Sequence, residues 1–497
     1  MASADLPVTS FDAARPGVFG DMFNRPRTPP APFRVGLLAA GYFEYWRMYP
    51  ELKPRIESDL AGIAGRLQAA AEARGLAFLY PGPVDTLDAA EAAGDAFARA
   101  GVDLVAVAWG TYVPDFMLLH ALEKVPHARV VLFNTQTGAA VNPDDDYPAT
   151  MRNSALIGAT QLSGSLTKAG RPYKAVAAVK DDEAAYARVA RMAAAHDAAR
   201  RLRTWNVGLV GSVFRGMFDL EFDRGLVRGR LGPEVVTIGA EHLAALWKEV
   251  DPAASRAKAG DYARRFELRG VAAGDVERSV RVGLALRALA KRYRLDGLCF
   301  LGQHHLEKIT GAPVRLGASL LMEEDDFPVA CEGDVGGLVM MGLLRRLTGA
   351  KPLQLEWGQF DLAQNALFLL GHGIACPSAG GPAAEVKIVP APEEWGFEGA
   401  GANWELRLAP GPVTMGHFLA GPGGWRMLVS RGESLAGPRL PCCEIHAVVK
   451  VRAPVTEYLE RLMAAGATHH VALAGGDAAD ALETAAEAMG VAATRIE

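Results

Sequence analysis

The chain has little cysteine, no long apolar run and no surplus of positive charge. Its 497 residues include five cysteines (Cys299, Cys331, Cys376, Cys442 and Cys443), an odd number with no CxxC spacing. That pattern argues against a disulfide framework or a zinc knuckle and makes a reducing cytoplasm the expected compartment. The N-terminal stretch has neither an apolar h-region nor a basic n-region, so no secretory signal is expected. No uninterrupted apolar run approaches the roughly 18 residues of a membrane span. The longest candidate, GGLVMMGLLRRL, is stopped by Arg345 and Arg346. Acidic residues outnumber basic ones, 57 to 52, for a net charge of −5. No global attraction for phosphate backbones follows, so neither nucleic acid nor membrane is an expected partner. Neither GxGxxG nor GxxxxGK[ST] follows a strand signal, which sets aside dinucleotide binding and P-loop phosphoryl transfer.

What is present is an alternation of strand and helix signals. Five prolines lie between Pro7 and Pro30, so residues 1–33 read as an extended arm, either loose or laid on a neighbouring subunit. Arg34–Ala39 then reads as a strand, Leu52–Arg74 as a helix, and the alternation continues to a long Ala/Arg-rich helix at Asp181–Arg203. Such alternation predicts a doubly wound parallel sheet over 34–204. At Asn206 the pattern restarts: NVGLVGSVF echoes RVGLLAAGYF, predicting a second α/β domain over 205–348. After Thr348 short strand-like runs punctuated by Gly and Pro predict a C-terminal β-rich domain, a barrel or sandwich, over 349–497. The fold class is therefore α/β: two doubly wound parallel-sheet domains followed by a barrel-like β-rich domain.

Four places carry groups that could do chemistry. In Ala330-Cys331-Glu332-Gly333-Asp334 an apolar strand delivers a carboxylate and a glycine turn to its carboxyl end, where open α/β sheets bind ligands. The same two carboxylates also suit simple capping of the helix that follows, and Asp334 fits that role well. In Leu353–Asp361 alternation puts Gln354 and Glu356 on one strand face. Paired carboxylates with a transition metal can move a proton next to a carbonyl; a solvated sheet face would show the same spacing. His372 stands between glycines at a strand end. His469 and His470 begin another strand and should point to opposite faces, so at most one should enter a given site. Two carboxylates and two imidazoles suit Mn²⁺, Co²⁺ or related divalent ions better than a thiolate-loving metal. Gln303, His304 and His305 follow the strand GLCFLG, where either a pocket or plain surface polarity fits. Cys331 and Cys376 read as small buried hydrophobes.

The blocks CEGD (331–334), LEW (355–357), LGHGIACP (370–377) and ATHHVAL (467–473), in this order and spacing, resemble the L-arabinose isomerase and L-fucose isomerase superfamily. VGLVGSVFRGMFDLEFD (207–223) resembles the opening of that family's central domain, and RNSALIGATQL (152–162) its N-domain helix. The resemblance implies aldose–ketose isomerisation of a small sugar through an enediol, with a divalent metal, usually Mn²⁺. It implies Glu332, Glu356, His372 and His470 as the metal and catalytic set, with Glu332 and Glu356 as the acid/base pair. His470, not His469, matches the ligand position, and Met217 falls where the family lines its sugar pocket. Homo-oligomers, trimers or hexamers with sites completed by a neighbour, are also implied. Where the family carries other sugar-contacting stretches this chain has GYFEYW (41–46) and PATMRNSALIG (148–158). Tyr42, Glu44, Arg152 and Asn153 are the candidates there for contacts to a different sugar. Two other expectations share the metal site or the scaffold: a sugar epimerase, and a sugar-binding or regulatory protein without turnover.

Overall fold

A computed structural model describes residues 30–381, 385–392, 401–441 and 443–497. The proline-rich arm lies outside the described residues up to position 29, as do Cys442 and the Gly-Ala pair at 399–400. The described residues divide into two compact units, one within 30–197 and one within 198–497.

The first unit is a parallel sheet of β1 (Arg34–Ala40), β2 (Ala77–Leu79), β3 (Leu104–Trp109), β4 (Arg129–Gln136) and β5 (Tyr173–Val179), in the order β2-β1-β3-β4-β5. The sequence LVAVAW of β3 has no polar residue, and all six side chains are buried. That is the signature of a central strand covered on both faces. Leu52–Glu72 packs one face by burying Leu52, Ile56, Leu60, Ile63 and Leu67, spaced at three and four residues. Thr86 caps the helix Leu87–Ala100 by accepting from the Ala89 N–H, and Gly101 ends it in the left-handed conformation that favours glycine.

In the second unit β6 (Asn206–Val210), β7 (Glu234–Ile238), a two-residue β8 (Glu267–Leu268), β9 (Gly297–Phe300) and β10 (Val329–Ala330) follow in sequence. Four of them form a second parallel sheet, β10-β9-β6-β7. The helix Val335–Thr348 follows β10. Its first ten residues are all buried, and Asp334 caps it by accepting from the Gly337 N–H. Each of its large buried apolar side chains contributes on the order of 1.5–3 kcal/mol. Gly336 lets the helix approach: a Cβ there would meet the Phe418 carbonyl at 2.5 Å.

The remaining strands are β11 (Leu353–Asp361), β12 (Ala366–Gly371), β13 (Lys387–Pro390), β14 (Ala402–Arg407), β15 (Gly411–Gly421), β16 (Gly424–Ser434), β17 (Ile445–Lys450), β18 (His470–Gly475) and β19 (Ala492–Ile496). Among the described residues they form, with β8, one mixed sheet ordered β19-β16-β15-β18-β11-β12-β17-β14-β13-β8. A further pairing of β16 with β17 closes the run β16-β15-β18-β11-β12-β17 on itself, a barrel. The α/β fold class with a barrel-like β-rich part is thus what the chain adopts. The sequence reading did not mark β15 or the helices Pro252–Arg265 and Gln303–Thr310. Glycine and proline at the start of β15 hid a strand whose full-length pairing with β16 supplies its order.

Candidate metal centre

Register brings the first pair of groups together. In the antiparallel pairing of β11 with β18, Glu356 stands directly opposite His470, so the two side chains share a face at cross-strand distance. The β11–β12 hairpin sets Glu356 opposite Leu370, and His372 follows two residues later. Its Nε2 forms a close hydrogen bond with Glu356 Oε1. Glu332 reaches the same place from the carboxyl end of β10. Its φ of 61° is left-handed, a conformation costing a residue with a side chain about 1–2 kcal/mol. Three backbone hydrogen bonds hold the turn: Phe214 N–H to the Glu332 carbonyl at 3.1 Å, Gly333 N–H to Phe300 at 2.8 Å, and Asp334 N–H to Cys331 at 3.2 Å. Strain held in this way is common where a side chain must be aimed.

The four side chains converge. Glu332, Glu356, His372 and His470 each offer one ligand atom, all within 4.8 Å of one another, and could hold a metal ion. His470 Nε2 lies 3.1 Å from Glu332 Oε2 and 3.6 Å from Glu356 Oε1. Its other nitrogen is occupied: Nδ1 is 3.1 Å from Asp334 Oδ2 and 2.7 Å from Gln354 Nε2. Gln354 also donates to Asp334 at 3.1 Å and accepts the Cys331 N–H at 2.7 Å. Asp334 in turn lies 2.9 Å from His417 Nε2. A carboxylate behind a ligating imidazole fixes its tautomer and aims its free lone pair.

Charge and burial set the character of the centre. Burial pushes the Glu332 carboxyl up, but His469 and His470 beside it and the field of His372 outweigh burial and hold it at about 2. Glu356, against its own burial, is pulled further below the carboxylate range by His372 and His470. Asp334 is likewise held far down by His417 and His470 despite full burial. Burial opposes charging of His470, yet Asp334, Cys331, Glu332 and Glu356 push its pKa well up. Glu332 Oε2 and His470 Nε2 are both buried and neither has an aligned hydrogen-bond partner. A buried carboxylate oxygen facing an imidazole nitrogen without an aligned proton is the environment a cation satisfies. The donors are two oxygens and two nitrogens, so the residues present fit a divalent ion. Cys331 is not in the ligand group, and burial, then Glu332, raises its thiol to about 12.

The histidine expectation needs correction. His469 precedes β18, so strand alternation does not govern it. Its Nε2 lies 3.6 Å from the same Glu332 oxygen as His470, and Asp219 holds it through Nδ1 at 2.7 Å and its backbone N–H at 3.0 Å. Both histidines therefore approach Glu332, while only His470 belongs to the ligand group. Asp219, Gln354 and His417 were not singled out as partners. For Gln354 the signal was its shared face with Glu356; for His417 nothing pointed to Asp334, a helix cap 83 residues earlier in the chain.

The other candidates are distributed as follows. Met217 lies in the loop after β6, between Phe214, whose N–H bonds to Glu332, and Asp219, which holds His469. Gln303 opens the helix Gln303–Thr310, and its side chain is outside the described part. Tyr42, Arg152 and Asn153 belong to the first unit and find their contacts within it. Tyr42 packs edge-on to Tyr45 and Tyr112. Arg152 pairs with Asp59 at 2.7 Å. Asn153 accepts from the Thr137 and Gly138 N–H groups. Glu44 pairs with Arg47 at 2.7 Å.

No family model matches the chain. It is similar to a sulfoquinovose isomerase of Alkalicoccus urumqiensis, 24% identical over 326 residues, 65% of this chain and 72% of that protein. It is also similar to sulfoquinovose isomerases of Priestia aryabhattai and Priestia megaterium (strain ATCC 12872 / QMB1551), each 23% identical over 337 residues, 67% of this chain and 73% of theirs. No described helix is long and apolar enough to cross a membrane.

Proposed function

We propose that this chain is a sugar isomerase that interconverts an aldose and a ketose through an enediol, with a divalent metal, Mn²⁺ first among the candidates. The observation that carries the proposal is the convergence of Glu332, Glu356, His372 and His470 around buried atoms that lack a proton-aligned partner. Similarity to sulfoquinovose isomerases supports it, as does the four-block resemblance to the L-arabinose and L-fucose isomerases. Sulfoquinovose is the first sugar to test, and a cytoplasmic homo-oligomer is the expected form.

Glu332, Glu356, His372 and His470 would hold the metal, which supplies positive charge to the carbonyl and hydroxyl oxygens at C1 and C2. The proton work falls to the carboxylates. Both are ionised at neutral pH, so each starts as a proton acceptor and donates only after it has taken up a proton. One removes the proton from C2, exchanges it with solvent and delivers a proton to C1; the other serves the hydroxyl proton. Asp334 accepts the Nδ1 proton of His470, and Gln354 donates to the same carboxylate, so Nε2 of His470 faces the reacting end of the site. His372, bonded to Glu356, orients that carboxylate.

Turnover of sulfoquinovose in deuterated water tests the reaction. Deuterium at C1 or C2 of the product is expected, because an enediol exchanges with solvent and a hydride shift does not. Product free of deuterium would overturn the enediol, and purified protein free of stoichiometric transition metal would overturn the metal.

A further inference from the structure

Next to the metal-type cluster the chain builds a pocket of the opposite electrical character. A cavity of about 650 Å³ is lined by Ser212, Phe214, Arg215, Gly216, Leu301, His304 and His305. It has no carboxylate in its lining. Arg215 is exposed and, among the described residues, has no ion pair. The rings of His304 and His305 lie 4.0 Å apart, and the Phe214 ring flanks both, at 5.7 and 6.2 Å. Burial first, then His305 and Lys308, lower the His304 pKa, and the field of Glu332 opposes them.

Topology fixes where this pocket lies. Glu332 follows β10, His304 and His305 follow β9, and Phe214 and Arg215 follow β6. These three strands are parallel neighbours in the order β10-β9-β6. Adjacent strands are spaced about 5 Å apart, so the pocket begins one strand from Glu332, within reach of a hexose chain. The Phe214 N–H bond to the Glu332 carbonyl ties the two places together.

We propose that this cavity receives the anionic end, a sulfonate or a phosphate, of the sugar whose carbonyl end meets Glu332 and Glu356. The class of substrate rests on the isomerase reading above; the anion site itself does not. Arg215 supplies the permanent charge, in a planar fork that matches three-oxygen anions, and the two imidazoles supply N–H donors. An acidic reacting centre beside a basic pocket sets the direction of a sugar with a neutral head and an anionic tail.

Binding is read by calorimetry on the full chain, with methanesulfonate and with inorganic phosphate as separate probes. Saturable binding of either is expected, weakened tenfold or more in Arg215→Gln and in the double variant His304→Asn/His305→Asn. The probe that binds more tightly identifies the tail. In kinetics, Arg215→Gln is expected to lower the kcat/KM preference for the sugar sulfonate over its neutral hexose at least tenfold, through KM. Absence of saturable binding by both probes, or binding unchanged in Arg215→Gln, overturns the pocket even if isomerisation is demonstrated. Binding that depends on Arg215 without solvent-deuterium exchange in any sugar keeps the pocket and overturns the isomerase reading.

Discussion

Two parallel sheets in this chain end their strands in different ways. In the first unit β1 runs into Gly41-Tyr42 and β3 into Gly110-Thr111-Tyr112, and the two tyrosine rings meet edge-on at 6.3 Å. In the second unit the corresponding ends carry Phe214 and Arg215, His304 and His305, and Glu332. Buried charge differs in the same sense. Asp59 of the first unit is matched by both Arg152 and Lys180. Glu332, Glu356 and Asp334 of the second face imidazoles, and Glu332 Oε2 meets the Nε2 atoms of His469 and His470 with no aligned hydrogen-bond partner for any of the three. Among the described residues the first unit holds no comparable ligand group. One backbone plan thus carries aromatic packing at its strand ends in one case and part of a candidate ligand group in the other, and the difference lies in the few residues beyond each strand.

The sharpest way to break that contrast is Glu332→Gln, or Glu356→Gln. Each should cut kcat by about 10²–10⁴-fold, the range of acid/base catalysis, while the circular dichroism spectrum and Tm hold. Near-native turnover of a confirmed substrate by either variant would remove the carboxylate pair from the reaction. Asp334→Asn addresses the support behind His470. Metal affinity should fall about 10–100-fold, measured by competition with a chelator, because the carboxylate that fixes the imidazole is gone. An unchanged affinity would reduce Asp334 to a helix cap.

Smaller effects are expected from the first unit. Asp59→Asn should lower its stability by about 1–2 kcal/mol in urea unfolding, since Arg152 and Lys180 can still reach solvent. Metal content should stay the same, and loss of metal would contradict the separation of roles. The mildest prediction is an acid limb. Burial, with Arg129 and Lys174 nearby, lowers His196 to about 4. Between pH 6.5 and 4 the unfolded chain binds a proton that the folded unit does not. The stabilising effect is therefore whole above pH 6.5 and is lost as pH falls toward 4. About 1–2 kcal/mol should disappear between pH 7 and pH 5, and His196→Gln should flatten that slope. Parallel unfolding curves for both proteins across this range would refute it.

Much of the fold was legible because it is written locally. An all-apolar β3, a Thr86 cap with Gly101 at the far end, and the echo of RVGLLAA in NVGLV are short-range signals. Glu332 was legible for the same reason, as a carboxylate on a glycine turn after a buried strand. β15 was not, since its order comes from β16 and β18. The exclusion of His469 from the ligand group held, while its expected opposite face did not, because alternation was applied one residue before its strand begins.

Sequence alone determined which residue types were available at strand ends, which segments could be buried and that the net charge gives no reason to expect a polyanion partner. Only the tertiary structure decided that Glu356 faces His470, that His417 reaches Asp334, and that Gln354 stands behind the imidazole. The physical reason is range. Helix caps and apolar periods act over a few residues and leave their mark in composition. The pairing register of β11 with β18 joins positions 114 residues apart, Glu356 and His470, and is fixed only when the barrel closes and every strand must bury its apolar face at once.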